Sequence, residues 1–312
     1  MKLTALTRNA LGMPYIGFGT YQMSVEVAET SVFEALKAGF RHIDSAQGYN
    51  NEEGTGKALS KFLTEYPNVA RSDLFVTTKL WQGNAAWGMP EIDYQGTIDT
   101  CKKQLKELQI DYIDLYLIHA PFSSLRLEEW KAFIELKKLG LVKHIGVSNY
   151  NEARLQEIED AGLSLPEVNE IEFHPLSQQK EMTKIMRDKN ILPVAYSSLA
   201  TLASWRTKEG QGGELKADLK TECYDVQAEI ANRLGVSEGK LLLRWGMQRG
   251  YSVLTKSTNP ERIKQNLDCF DFEISDEDME KMNALDKNEY LAWALQGVNP
   301  MTCDPPPLAS SS

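Results

Sequence analysis

Four side chains in the first 120 residues have the types needed for proton chemistry on a carbonyl group: Asp44, Tyr49, Lys79 and His119. A phenol titrates near ~10 and is a poor acid at neutral pH. A nearby ammonium favours the phenolate and lowers that value. A carboxylate paired with the lysine holds it in place and keeps it charged. A histidine beside the tyrosine can orient a carbonyl oxygen. Together they make a general acid for carbonyl reduction. Taken singly, Asp44 reads as well as a turn cap, Lys79 as a solvated charge and His119 as a hydrogen-bonded core histidine. Their joint placement is what favours the chemical reading.

A second group lies near the other end of the chain. Asn259 and Pro260 are a good N-cap and first residue for a helix. Lys256, Ser257 and Arg262 surround that helix N-terminus, which is a ready anion site suited to a phosphate. The plain alternative is a capped helix with exposed basic residues.

Residues so far apart need a scaffold that gathers them. Short apolar, β-branched runs at 15–19, 40–44, 74–80, 112–118, 142–148, 167–172, 191–196 and 251–256 read as strands. Stretches of helical period fall between or after them, at 25–38, 53–64, 94–108, 127–139, 152–161, 178–188, 224–234 and 260–267. Strand–helix repetition demands parallel strands with right-handed crossovers. Eight units favour a closed (β/α)8 TIM barrel over an open doubly wound sheet. No composition break divides the chain, so residues 1–312 are expected to form a single domain. A long connection at 200–222 and a proline-bearing tail after Asp286 fall outside the eightfold count, and both are expected over the site.

In such a barrel the site lies at the C-terminal ends of the strands. Asp44, Lys79, His119, Ser148 with Asn149, Glu170 with Glu172 and His174, Tyr196 with Ser197, and Lys256 with Ser257 all fall at or just past strand ends. One polar strand end means little; the whole ring argues for a site.

Composition removes other classes. With 34 Lys+Arg against 44 Asp+Glu the net charge is −10, the wrong sign for a nucleic-acid binder. No apolar run approaches a membrane span, and no leader peptide is recognisable at the start. The four cysteines and four histidines form no C-x-x-C or H-E-x-x-H pattern, so neither a disulfide framework nor a metal is expected. A cytoplasmic setting fits, with the protein a monomer or weak dimer. Gly17-Phe18-Gly19 lacks the third glycine of a Rossmann fingerprint, and the segment 51–58 is only a fragment of a P-loop.

The stretches IGFGT (16–20), GFRHIDSA (39–46) with YNNE (49–52), TTKLW (77–81), LIHAP (117–121), IGVSN (145–149), EFHP (172–175), AYS (195–197) and KS (256–257) with Arg262 and Asn266 resemble the aldo-keto reductase family. They occur in order over residues 11–275. The resemblance implies a barrel that binds NADPH without a Rossmann fold and reduces aldehydes and activated ketones. It implies Tyr49 as proton donor, Asp44 and Lys79 tuning it, and His119 orienting the substrate. Ser148, Asn149 and Glu170 would hold the nicotinamide carboxamide, and Tyr196 would stack on the ring. Ser197 and Leu199 would lie along the pyrophosphate, under the loop 200–222. Lys256, Ser257, Thr258 and Arg262 would bind the 2′-phosphate, with Gln265 and Asn266 at the adenine. Gly19, Thr20 and Asp44 would also border the cofactor.

Departures from the family pattern are informative. Glu170 stands where the family usually has Gln, and its charge bears on cofactor affinity and nicotinamide potential. Ala120 replaces a common Trp and is expected to open the substrate pocket, whose apolar walls would be Tyr21, Trp81, Phe122 and Trp293. Ala120 and the short connection 121–127 resemble a fungal branch that reduces α-keto amides and cyclic dicarbonyls such as ketopantoyl lactone. A competing reading is a cofactor-sensing binding subunit, as in the potassium-channel β subunits that resemble this family. A lyase or isomerase ranks last, because a lysine charged beside Asp44 is a poor nucleophile.

Overall fold

The computed structural model describes residue 4 and residues 7–202, 207–294 and 297–302. Eight parallel strands close into a barrel in chain order: β1 Ile16–Gly19, β2 His42–Asp44, β3 Phe75–Leu80, β4 Ile113–Ile118, β5 Val142–Ser148, β6 Val168–Glu172, β7 Leu192–Tyr196 and β8 Ser252–Thr255. The ring is sealed by pairing of Ile16 with Val253. Around it lie α1 Val25–Ala38, α2 Glu52–Glu65, α3 Tyr94–Glu107, α4 Arg126–Lys138, α5 Glu152–Asp160, α6 Lys180–Asp188, α7 Ala217–Leu234, α8 Glu238–Gln248, α9 Pro260–Leu267 and α10 Asp276–Asn283. Among the described residues no helix is long and apolar enough to cross a membrane.

The strand–helix order holds, with three corrections. Helix α7 begins seven residues before the expected 224, so much of the connection 200–222 is helical: a single 3-10 turn Glu214–Lys216 runs straight into it. Residues 203–206 of that connection lie outside the described residues, as do Cys303 and Pro305 to Pro307 of the tail. Helix α8 was not expected. Every residue from Leu241 to Met247 is buried, so it lacks the polar face that signals a surface helix. Gly246 lets it ride directly on β8, where a Cβ would come 2.7 Å from Val253. Helix α10 was also not expected; its eight residues are mostly charged and bury only Asp278 and Met282.

The alternation of side chains along a strand sorts residues between the two faces of the wall. Ile43, Val76, Tyr116, Val147, Ile171 and Val253 point outward into the main core beneath the helices. The opposite parity points inward. Its lower layer is apolar: Phe75, Leu115, Leu117, Val168, Val194 and Leu254 cluster with Met13. Met13 comes from an N-terminal turn fastened by the antiparallel bridge Arg8–Pro14, and it plugs the floor of the barrel. Further along the same parity come Asp44, Lys79, His119, Ser148, Glu170 and Tyr196. The strand period thus delivers them to one mouth.

Candidate active site

The mouth opens into a cavity of about 730 Å3. Lys79 is buried behind its lining, where it holds two residues that do line it, Asp44 and Glu170. The Lys79 Nζ donates to Asp44 Oδ1 at 2.5 Å and to the Ser45 carbonyl at 3.1 Å, and Glu170 Oε1 is 3.2 Å away. All three ionisable side chains are buried. The ammonium sits 5.4 Å from the centroid of the Tyr49 ring. His119 meets Tyr49 edge-on at 5.6 Å between centroids and Trp81 at 5.3 Å. The four residues singled out for proton chemistry are therefore together.

The turn carrying Tyr49, Gln47–Tyr49, is fixed from both sides. Gln47 Oε1 accepts from the Trp81 N–H at 2.9 Å. Asn51 Nδ2 donates to the carbonyls of Thr20 and Met23. Glu52, opening α2, accepts from Thr78 Oγ1 at 2.6 Å and from Gln104 Nε2 at 2.9 Å, which ties α2 to β3 and α3. Gln22, Asn50, Asn149 and Ser197, with φ of 58°, 54°, 63° and 57°, all line the cavity. Such left-handed non-glycine residues concentrate at functional sites.

The charges follow from burial and proximity. Burial would strip Lys79 of its proton, but Asp44 and Glu170 more than offset this and hold it above the ordinary lysine value. Burial lifts Asp44 above the usual carboxylate range, against the pull of Lys79. Burial and then the Asp44 charge push Glu170 up to about 8. Burial, followed by Lys79, holds His119 well below its ordinary value, so its imidazole is neutral. For Tyr49 burial wins: the phenol lies above its ordinary value, with Lys79 drawing it down while Asp44 and Glu170 push it up. The lowering expected from Lys79 is therefore outweighed by burial.

On the far wall, Ser148 Oγ donates to the Glu170 carbonyl at 2.7 Å, and Asn149 Nδ2 donates to the His119 carbonyl at 3.0 Å. Tyr196 OH donates to Asn149 Oδ1 at 2.6 Å and accepts from Trp293 Nε1 at 3.1 Å. Gly19, Ser197, Leu199 and Lys256 also line the cavity, as do Tyr21, Trp81 and Trp293. Other expected residues do not. Thr20 is buried, its hydroxyl turned to Ser45 and Asn51. Ala120 and Phe122 form a buried cluster with Val298, Trp87 and Trp293 behind the wall, so the space beside Ala120 is packed rather than open. Ser257, Thr258, Arg262, Gln265 and Asn266 lie outside the cavity lining, the first three around the start of α9 and the last two in its final turn. There Asn259 caps Arg262 N–H at 3.1 Å, Ser257 Oγ accepts from Asn259 N–H at 3.1 Å, and Asn266 Nδ2 donates to Thr255 Oγ1 at 2.7 Å.

Met89 and Ala292 line the cavity without having been foreseen. Neither residue type carries a chemical signal. Glu172 was expected in the ring of polar strand ends, but its role was not foreseen. Its Oε1 accepts from the N–H of Leu291 at 2.5 Å and of Ala292 at 2.9 Å, and lies 2.9 Å from His174 Nε2. It thereby holds the tail that carries Trp293.

Residues 11–287 match the aldo/keto reductase family. An aldo-keto reductase of Mycolicibacterium vanbaalenii is 37% identical over 277 residues, 88% of this chain and 89% of that protein. Methylglyoxal reductase of Escherichia coli is 36% identical over 281 residues, 89% of this chain and 92% of that protein. A crystal structure of a Bombyx mori aldo-keto reductase in complex with NADP superimposes with a TM-score of 0.80 at 30% identity, covering 93% of this chain and 95% of that one.

Proposed function

Because the chain belongs to the aldo-keto reductase family, we propose that it reduces aldehydes and activated ketones to alcohols with NADPH, Tyr49 giving the proton. The observation that carries this reading is the buried Asp44–Lys79 pair beside Tyr49, facing His119 across the cavity. The similarity to a methylglyoxal reductase favours small dicarbonyls as substrates.

The residues present fit the cofactor. Ser148, Asn149, Glu170 and Tyr196 come from neighbouring strands onto one wall, and Glu170 Oε2 is buried there without a partner. Lys256, Ser257, Thr258 and Arg262 would hold the 2′-phosphate at the N-terminus of α9, with Gln265 and Asn266 towards the adenine. Bound NADPH would supply a hydride to the carbonyl carbon. Everything else falls to the chain. Neutral His119 would present an N–H to the carbonyl oxygen. Tyr49 would pass its hydroxyl proton to that oxygen as negative charge develops on it. Lys79, kept charged by its two carboxyl neighbours, would stabilise the phenolate left behind. Tyr21, Trp81 and Trp293 would exclude water and seat the apolar part of the substrate.

The test is Tyr49→Phe, with methylglyoxal as substrate. Turnover should drop by roughly 10²- to 10⁴-fold, while quenching of tryptophan fluorescence by NADPH stays close to that of the parent. A variant that turns over at the parent rate would remove Tyr49 from the reaction.

A further inference from the structure

Glu170 is the one wall residue whose type adds a charge the proposed chemistry does not need. Its Oε1 lies 3.2 Å from Lys79 Nζ, the same ammonium that Asp44 Oδ1 already holds at 2.5 Å. One cation thus serves two buried carboxyl groups. Asp44 Oδ2 and Glu170 Oε2 are both buried without a hydrogen-bond partner. The cluster is electrically balanced only when one carboxyl holds a proton. With Lys79 bonded more closely to Asp44, that proton belongs on Glu170, whose carboxyl burial and the Asp44 charge both push towards the protonated form.

The groups facing Glu170 leave it as the variable charge. Across the barrel stand Asp44 from β2, Lys79 from β3 and, past them, Tyr49. From β4 comes His119, kept neutral by burial and Lys79. From β5 come the uncharged Ser148 and Asn149, with His144 lower on that strand and paired to Glu167 at 2.8 Å. From β7 comes Tyr196, a phenol raised further by burial. Lys256 stands at the end of β8. On its own strand Glu172 is engaged by His174 and the tail amides.

We infer that Glu170 is a proton-linked selector for the redox state of the cofactor: as an acid it leaves a neutral wall for the uncharged dihydronicotinamide, and as a carboxylate it favours the cationic ring of NADP+. The inference rests on the proposed cofactor site. It follows from charge alone. The reduced and oxidised nucleotides share the same phosphates and differ at the ring, by a hydride and one positive charge. A wall that turns from neutral to −1 discriminates between them, and binding of the cationic ring in turn expels the proton from Glu170.

The experiment measures binding, not turnover. Affinities of NADPH and NADP+ are determined separately by calorimetry from about pH 6 to about pH 10, on the parent protein and on Glu170→Gln. The 2′-phosphate titrates in both nucleotides and cancels in the ratio. In the parent, Kd(NADP+)/Kd(NADPH) should fall by about tenfold or more as pH rises; in Glu170→Gln it should be nearly flat. Repeating the parent titrations in buffers of different ionisation enthalpy gives an answer independent of the variant. Near pH ~8, NADP+ binding should release protons and NADPH binding should release fewer. A flat ratio in the parent, a slope retained in Glu170→Gln, or equal proton release by the two nucleotides overturns the inference. Failure of both nucleotides to bind the parent instead overturns the cofactor assignment beneath it.

Discussion

Arg262 stands on the first turn of α9, where the Asn259 side chain already caps its backbone N–H. Its guanidinium is exposed and free to serve as an anion clamp alongside Lys256. In Arg262→Ala, NADPH affinity should fall roughly tenfold to a hundredfold, while NADH affinity changes far less. Equal losses for the two nucleotides would mean that no 2′-phosphate sits there. The chemical residues were legible in the sequence because each falls at an inward parity near a strand end: Asp44, Lys79, His119, Ser148, Glu170 and Tyr196 all obey this pattern. What the sequence could not reveal was the balance of forces on them. Whether Lys79 or burial dominates the Tyr49 phenol depends on how deeply the barrel mouth is covered, and covering is set by segments distant in the chain. Ala120 shows the same limit, since the space beside it is taken up by Phe122, Trp87 and Val298.

Among the elements, the C-terminal tail is fastened to the barrel at several points, and one carboxylate, Glu172, takes two of its amides. Glu172 faces two tail amides at Leu291 and Ala292, more than 100 residues away in sequence, and the next tail side chain, Trp293, donates to Tyr196. Removing the carboxylate strands the buried Leu291 N–H, at about 1–3 kcal/mol, and the half-buried Ala292 N–H. Glu172→Ala should therefore loosen the tail around Leu291 to Trp293. The expected signs are faster proteolytic clipping after residue 290 and a several-fold rise in KM for the carbonyl substrate. The affinity for NADPH should change less. Unaltered clipping and KM would show that other contacts hold the tail. No sequence pattern announces this link, because its two halves lie on opposite sides of α7, α8, α9 and α10. Those helices also mark the limits of periodicity: α8 is buried along nearly its whole length, and α10 is too short and too charged to show an apolar stripe.

For the whole molecule, acids buried in the wall and helical shell set the pH dependence of stability. Burial pushes Glu129 up to about 8 against the pull of the Ser123 hydroxyl, with Glu91 adding to the rise. Burial likewise raises Glu52 to about 7 despite its bonds from Thr78 and Gln104. Both values exceed those of the unfolded chain, so between the two the folded state holds more protons. Stability from these groups is then fully present only below about 4.5, the unfolded value, and declines as pH rises from there towards about 8. Glu129→Gln should raise Tm by about 2–4 °C above pH ~8.5 and leave it nearly unchanged near pH ~5. A uniform shift at both pH values would mean that the carboxyl does not ionise in the fold.

The Met13 plug gives the barrel the form of a cup rather than a pipe. Solvent displaced from the cavity has no rear exit, so it must leave by the opening through which reactants arrive. Drying of the reaction chamber is thereby coupled to its loading: each molecule that enters stoppers the vessel a little further, and the strongest electric fields arise only once the last one is seated.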